Sequence, residues 1–108
     1  MALLRMPVDS ENPNYNFNTS LEGREYNFEF IWNGRSQLWY MSILNPSRET
    51  LIMGSIPLVL GVDLTGQYID PDLPPGDFYA INLTGANAPP DRYNFGSDVI
   101  LYYLESIP

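Results

Sequence analysis

The chain has 108 residues, fifteen of them aromatic, and a formal charge of −8 from thirteen Asp and Glu against five Arg, with no Lys, His or Cys. That composition removes the commonest general base, the Schiff-base amine, the thiolate nucleophile, the disulfide and any Cys- or His-ligated metal. It also disfavours specific nucleic-acid binding, which needs Lys and Arg against phosphate, and attraction to an anionic membrane surface.

The length suits one domain with one core. Charged residues make up 17% of the chain, below the roughly 25% of ordinary soluble domains, which points to surface that other protein covers. The opening MALLRMPVDS is too short and too broken for a secretory h-region. The longest apolar run, LIMGSIPLVLGV, falls well short of the ~20 residues of a membrane helix. The chain therefore reads as soluble and untargeted, and the sequons at Asn18 and Asn82 read as chance. Ten Pro and eight Gly cut it into short pieces, the pattern of an all-β fold of about seven mostly antiparallel strands with β-hairpins. A small barrel and a sandwich both fit. The organisation expected is an N-terminal arm or first strand over 1–14 and a single all-β domain over 15–108.

Taken in chain order, the first clear signal is the two-residue alternation from Tyr15. Tyr15, Phe17, Thr19 and Leu21 share one face, and Asn16, Asn18, Ser20 and Glu22 the other, as in a strand with one buried side. After EGRE the alternation resumes with Tyr26, Phe28, Phe30 and Trp32 against Asn27 and Glu29. Asn33-Gly34 then predicts a two-residue type I′ hairpin. That turn would set Phe28 opposite Trp39, Tyr26 opposite Met41, Phe30 opposite Gln37 and Trp32 opposite Arg35, whose guanidinium would lie across the indole. NPSR at 45–48 predicts a turn, and Gly54 and Pro57 predict a bulge or bend within the segment 49–60. The last two strands are expected over 77–83 and 97–105. In the second of them Val99, Leu101 and Tyr103 alternate with Ile100, Tyr102 and Leu104, so both faces are apolar and the strand is either central or covered by a neighbouring subunit.

Little here carries chemistry. Asp63, Asp70, Asp72 and Asp77 supply oxygen ligands of the kind calcium takes, but the EF-hand spacing is not met and prolines at 71, 74 and 75 stiffen the loop. GVDLTG lacks both phosphate-cradle spacings, and its Asp would repel the anion. Asp63 is better placed to cap a single helical turn in which Leu64 and Tyr68, four apart, share a face. Glu25, Glu29 and Glu49 are available for paired-carboxylate glycoside hydrolysis, yet Glu29 alternates outward as a solvated residue does. No metal, cofactor or catalytic residue is expected, and the chain reads as a non-enzyme. Fifteen aromatics on a β scaffold leave one alternative, a small carbohydrate-binding module. Tyr40, Tyr79 and Tyr102 are the rings expected at the surface.

The series FIWNGRSQLWYMSI, PLVLGVDLTGQY, GDFYAINL and PPDRYNFGSDVILYYLE resembles the small plug proteins of phage tail baseplates, of the cyanophage-baseplate-plug type. The likeness runs from residue 26 to 105. Its marks are Trp32-Asn33, Trp39-Tyr40, Pro57-Leu58, Gly61 with Asp63-Leu64, Tyr68, Gly76, Pro90, Phe95-Gly96 and Tyr102. The resemblance implies a virion structural protein of the tail baseplate, made in the host cytoplasm and without catalysis; the alternative, a small carbohydrate-binding module, would then serve host attachment. The plug's place would be the centre of the baseplate, below the tail tube, among hub and spike proteins and the C-terminus of the tape measure. A homo-oligomer is implied, a trimer by preference and a hexamer as the other symmetry. The residues expected to shape the fold or its interfaces are Trp32, Asn33, Gly34, Trp39, Gly61, Asp63, Leu64, Tyr68 and Tyr102.

Overall fold

The computed structural model describes residues 3–66 and 72–105. Its strands are β1 (Leu3–Arg5), β2 (Asn14–Leu21), β3 (Arg24–Asn33), β4 (Leu38–Leu44), β5 (Leu51–Pro57), β6 (Asp77–Asn82) and β7 (Val99–Leu104). They pair antiparallel into a four-stranded sheet of order β2-β3-β4-β5 and a three-stranded sheet of order β1-β7-β6. The two sheets stack as a sandwich rather than closing into a barrel, and the described residues contain no helix.

The alternation read from β2 is present: Tyr15, Phe17, Thr19 and Leu21 are drawn inward while Asn16, Asn18 and Ser20 stay exposed. β2 joins β3 through Glu22-Gly23, both with positive φ (53° and 85°) and flanked by the Leu21–Arg24 pair. Positive φ at both central residues is what a type I′ turn requires. Glu22 adopts it at a cost, since its Cβ crowds the backbone there, and its carboxylate accepts a hydrogen bond from the Tyr103 hydroxyl.

The expected turn at Asn33-Gly34 is not formed. Trp32 faces Trp39, not Arg35, and the last pair is Asn33–Leu38, leaving Gly34 to Gln37 as the loop. Phe28 accordingly faces Ile43 and Phe30 faces Met41. Asn33 acts through its side chain: Oδ1 accepts the Arg35 and Ser36 backbone N–H groups at 3.0 and 3.1 Å, and Gln37 supplies the positive φ, 57°. The physical reason is burial. A two-residue turn would have placed Gln37 and Arg35 on the inner face, where unpaired polar groups cost several kcal/mol. The longer loop takes both out of the ladder and sets Trp39 and Met41 opposite Trp32 and Phe30 instead, and the indoles of Trp32 and Trp39 pack at 5.8 Å. Because the shift is an even number of residues, every side chain that stays in the strands keeps the face expected of it. Urea denaturation should therefore show Asn33→Ala costing ~1 kcal/mol through loss of its two acceptor contacts. Gly34→Ala should be close to neutral, because a Cβ there meets only Trp32 Nε1 at 3.8 Å. A two-residue type I′ turn would reverse that order.

β5 carries the expected irregularity. Its register with β4 shifts between Met41 and Ile43 and again between Ile43 and Leu44, with Ser55 at φ 54° donating its N–H to Ser42 Oγ. β6 is flanked on its outer edge by the segment leading into it: Leu60 bridges Ala80, and the Leu64 N–H donates to the Phe78 carbonyl at 2.9 Å.

The core lies between the sheets. Tyr26, Phe28, Phe30, Trp39, Met41, Ile43 and Ile56 from one meet Phe78, Leu101 and Tyr103 from the other, with Leu58, Leu64 and Phe95 from the connections. Phe28 and Phe78 join the layers with ring centroids 5.7 Å apart, and Phe78 reaches Tyr103 at 4.8 Å. Tilted pairs of this kind add ~0.5–1.5 kcal/mol each beyond area burial. Ahead of β2, Met6 and Val8 are buried and the Met6 N–H donates to the Leu101 carbonyl, so the leading segment is part of the packing.

Candidate functional site

The residues singled out by sequence gather at two centres. At the first, Trp32 packs on Trp39, and Trp39 on Phe95 at 5.2 Å. The Trp39 indole N–H donates to the Asp91 carbonyl at 2.7 Å, and the Arg92 guanidinium lies 6.0 Å from the Trp39 ring and 5.3 Å from Tyr93. Asn33 and Gly34 cap the adjoining hairpin. The turn at 91–94 is self-locked: Asp91 Oδ1 accepts the Tyr93 and Asn94 N–H groups, and Asn94 Oδ1 accepts that of Asp91. It presents Tyr93 with 80% of its surface exposed. Sequence reading passed over Tyr93, although Asp-Arg-Tyr-Asn carries the Asx spacing that builds such a turn.

At the second centre, Asp63 Oδ1 accepts the Phe78 N–H at 3.2 Å and the Thr65 N–H at 3.4 Å, tying the 58–66 connection to β6. Leu64 is buried, and Gly61 turns the chain with φ 79°. Asp63 thus holds a turn, although the described residues after it form no helix, and its partner on the sheet is Phe78. Tyr68, like Asp70, lies outside the described residues. Ile56, Pro57, Val59, Val62, Asp63 and Leu64 line a shallow hollow of about 260 Å³. Burial, then the hydrogen bond and charge of Asp63, push the Asp77 carboxyl above its ordinary value. No group of three or more metal-binding side chains occurs among the described residues.

Nearby, the Tyr103 hydroxyl accepts the Gly76 N–H at 2.8 Å and donates to Glu22. Gly76 has no room for a side chain, since a Cβ would stand 2.2 Å from the Leu104 carbonyl oxygen. Burial, then the Glu22 carboxylate, hold the Tyr103 hydroxyl far above its ordinary pKa, and burial does the same to Tyr15. Both groups stay protonated in the folded state while the unfolded chain deprotonates above pH ~10. Stability should hold below that pH and fall as pH rises past it. Tyr103→Phe should flatten that alkaline fall in a series of denaturation curves, and an unchanged slope would contradict the assignment.

Tyr102 lies on the outer face of the three-stranded sheet with Leu3, Arg5, Leu104, Asp77, Tyr79 and Ile81, by the register of β1, β7 and β6. Leu3 is 54% exposed and Ile81 38%, while Tyr79 and Tyr102 are half-buried. The second apolar side of β7 is therefore real, covered over Ile100 and open over Tyr102 and Leu104. Tyr40 is likewise half-buried, so Tyr93 is the fully projecting ring among the described tyrosines.

Two facing β-sheets, side chains committed to packing and turn-holding, and an apolar outer face define a structural class of protein. The chain belongs to the family described as the cyanophage baseplate Pam3 plug gp18, which it matches over residues 3–106. The family is that of a structural part of the phage tail baseplate. No curated protein matches the chain.

Proposed function

We propose that the chain plugs or links the central hub and spike of the baseplate below the tail tube, held by protein–protein contacts and without catalysis. The tape measure C-terminus is its neighbour on the tube side, and a homotrimer about the tail axis is the assembly, with a hexamer as the other symmetry. The observation that carries this reading, beside the family, is the largely apolar outer face formed by Leu3, Tyr79, Ile81, Tyr102 and Leu104, with Arg5 and Asp77 beside them. A face of this kind on a protein of so few charges is suited to being covered by a neighbour. The acidic surface, where it lines the channel, would repel DNA and let it pass without sticking.

A mass-spectrometric inventory of purified virions, with cross-links to this chain, tests the proposal. Links to hub and spike are the expected result, and a chain absent from the tail would end it. Sedimentation of the assembled protein distinguishes trimer from hexamer. A carbohydrate-binding role would require several rings open on one plane. Tyr26, Phe28, Phe30 and Trp39 are instead in the core, so a glycan array should stay silent.

A further inference from the structure

We infer that β2 is a docking edge, to which an extended segment of another baseplate protein adds as a fifth strand of the larger sheet. This rests on the baseplate reading above. Among the described residues the sheets have four edges, and three are blunted. β1 is only Leu3–Arg5, β5 is twice bulged and ends in Pro57, and β6 is flanked by Leu60 and Leu64. Short strands, bulges, prolines and covering segments are how proteins prevent edge pairing.

β2 has none of these devices. It runs in unbroken register with β3 over all its residues, NYNFNTSL, and includes no charge, proline or glycine. The Trp32 N–H donates to the Pro13 carbonyl, which fixes the phase of the ladder. Odd residues of β2 direct their backbone groups to β3, and Asn14, Asn16, Asn18 and Ser20 direct theirs to the open side. Tyr15 and Phe17, although on the inner face, remain only half-buried along this edge. An added strand would satisfy the open backbone groups and cover those rings.

Charge identifies the occupant. The strand is neutral, but Asp9 and Glu11 precede it, and after it Glu22 and Glu25 outnumber Arg24, whose charge is already engaged by Asp72. Pairing with a second copy in antiparallel register would bring acid against acid at both ends. A strand of alternating apolar and polar residues flanked by Lys or Arg is the complement.

Amide hydrogen exchange of the isolated chain and of purified baseplates tests this directly. In the isolated chain the amides of Asn14, Asn16, Asn18 and Ser20 should exchange fast, and assembly should slow them about 100-fold. Amides 15, 17 and 19 should be protected in both. Baseplates that contain the chain with those four amides still fast overturn the inference and leave the structural role standing; absence of the chain from baseplates overturns both. Asn16→Pro removes one outward N–H without touching the β3 ladder. It should keep the wild-type fold and enter virions at least about tenfold less, whereas Asn16→Ala enters normally. A folded Asn16→Pro that assembles like wild type counts against the edge. Because the chain has no cysteine, Asn14→Cys gives a single cross-linking point. It should capture a basic-flanked segment of a different protein, and capture of a second copy's β2 would overturn the choice of occupant.

Discussion

Trp39→Ala should lower the melting temperature of the isolated protein by about 15–30 °C. The estimate combines a cost of ~3–5 kcal/mol for deleting a buried Trp with the several degrees that each kcal/mol shifts a domain near this size. Trp39 is fully buried, packs on Trp32, Tyr15 and Phe95, and donates its indole N–H to the Asp91 carbonyl. It therefore ties the four-stranded sheet to the 91–94 turn that presents Tyr93. Trp39→Phe separates the contributions. It retains much of the ring contact and leaves the Asp91 carbonyl without its donor, a loss of ~1–3 kcal/mol. Scanning calorimetry of both variants checks the claim, and a shift below about 3 °C for Trp39→Ala would show that the site relaxes around the gap.

Gly96→Ala should cost ~3 kcal/mol, while Gly85→Ala should cost only ~1 kcal/mol. The two glycines share the left-handed backbone, with φ 95° and 84°. They differ in what surrounds them. A Cβ at Gly96 would stand 2.4 Å from the Val8 carbonyl oxygen and 2.8 Å from the Asp9 Cα, whereas at Gly85 nothing lies within 4 Å. The excess at Gly96 is thus the cost of pushing the 6–10 segment off the loop before β7, where Arg5 Nη2 also donates to the Gly96 carbonyl at 2.9 Å. Urea midpoints of the pair measure the difference. Equal losses would mean that the leading segment yields freely and that only backbone conformation matters.

The Gly96 comparison also shows where sequence reading stops. Phe95-Gly96 stood out as a pair in the sequence, but nothing local announces that the partner of Gly96 is Val8, far away in the chain. The same holds for Gly76 against Leu104, Tyr103 against Glu22, and Asp63 against the Phe78 amide. Each is a contact between segments apart in the chain, set by how strands and connections come together in three dimensions. Tyr93 is a nearer miss, because its turn is built from neighbouring residues and its exposure follows from that turn.

Within strands the sequence was more informative. The alternation in β2, β3 and β4 sorted inner from outer residues correctly even though the hairpin loop differs from expectation, because side-chain face depends only on parity along the chain. The bulge in β5 and the doubly apolar β7 were likewise local properties of composition.

What the sequence determined by itself is therefore the class: an all-β chain, stripped of the usual catalytic side chains, with strands whose buried faces can be read by counting. The tertiary structure decided the pairing. Whether Asn33 and Gly34 made the whole turn or Asn33 capped a longer one depended on keeping Arg35 and Gln37 out of the interior. Whether the strands closed as a barrel or stacked as a sandwich depended on the edge strands β1 and β6 of one sheet staying unpaired with β2 and β5 of the other. Both outcomes are settled by which apolar surfaces meet across the core, an energy summed over residues far apart in sequence, and no short window of the chain contains it.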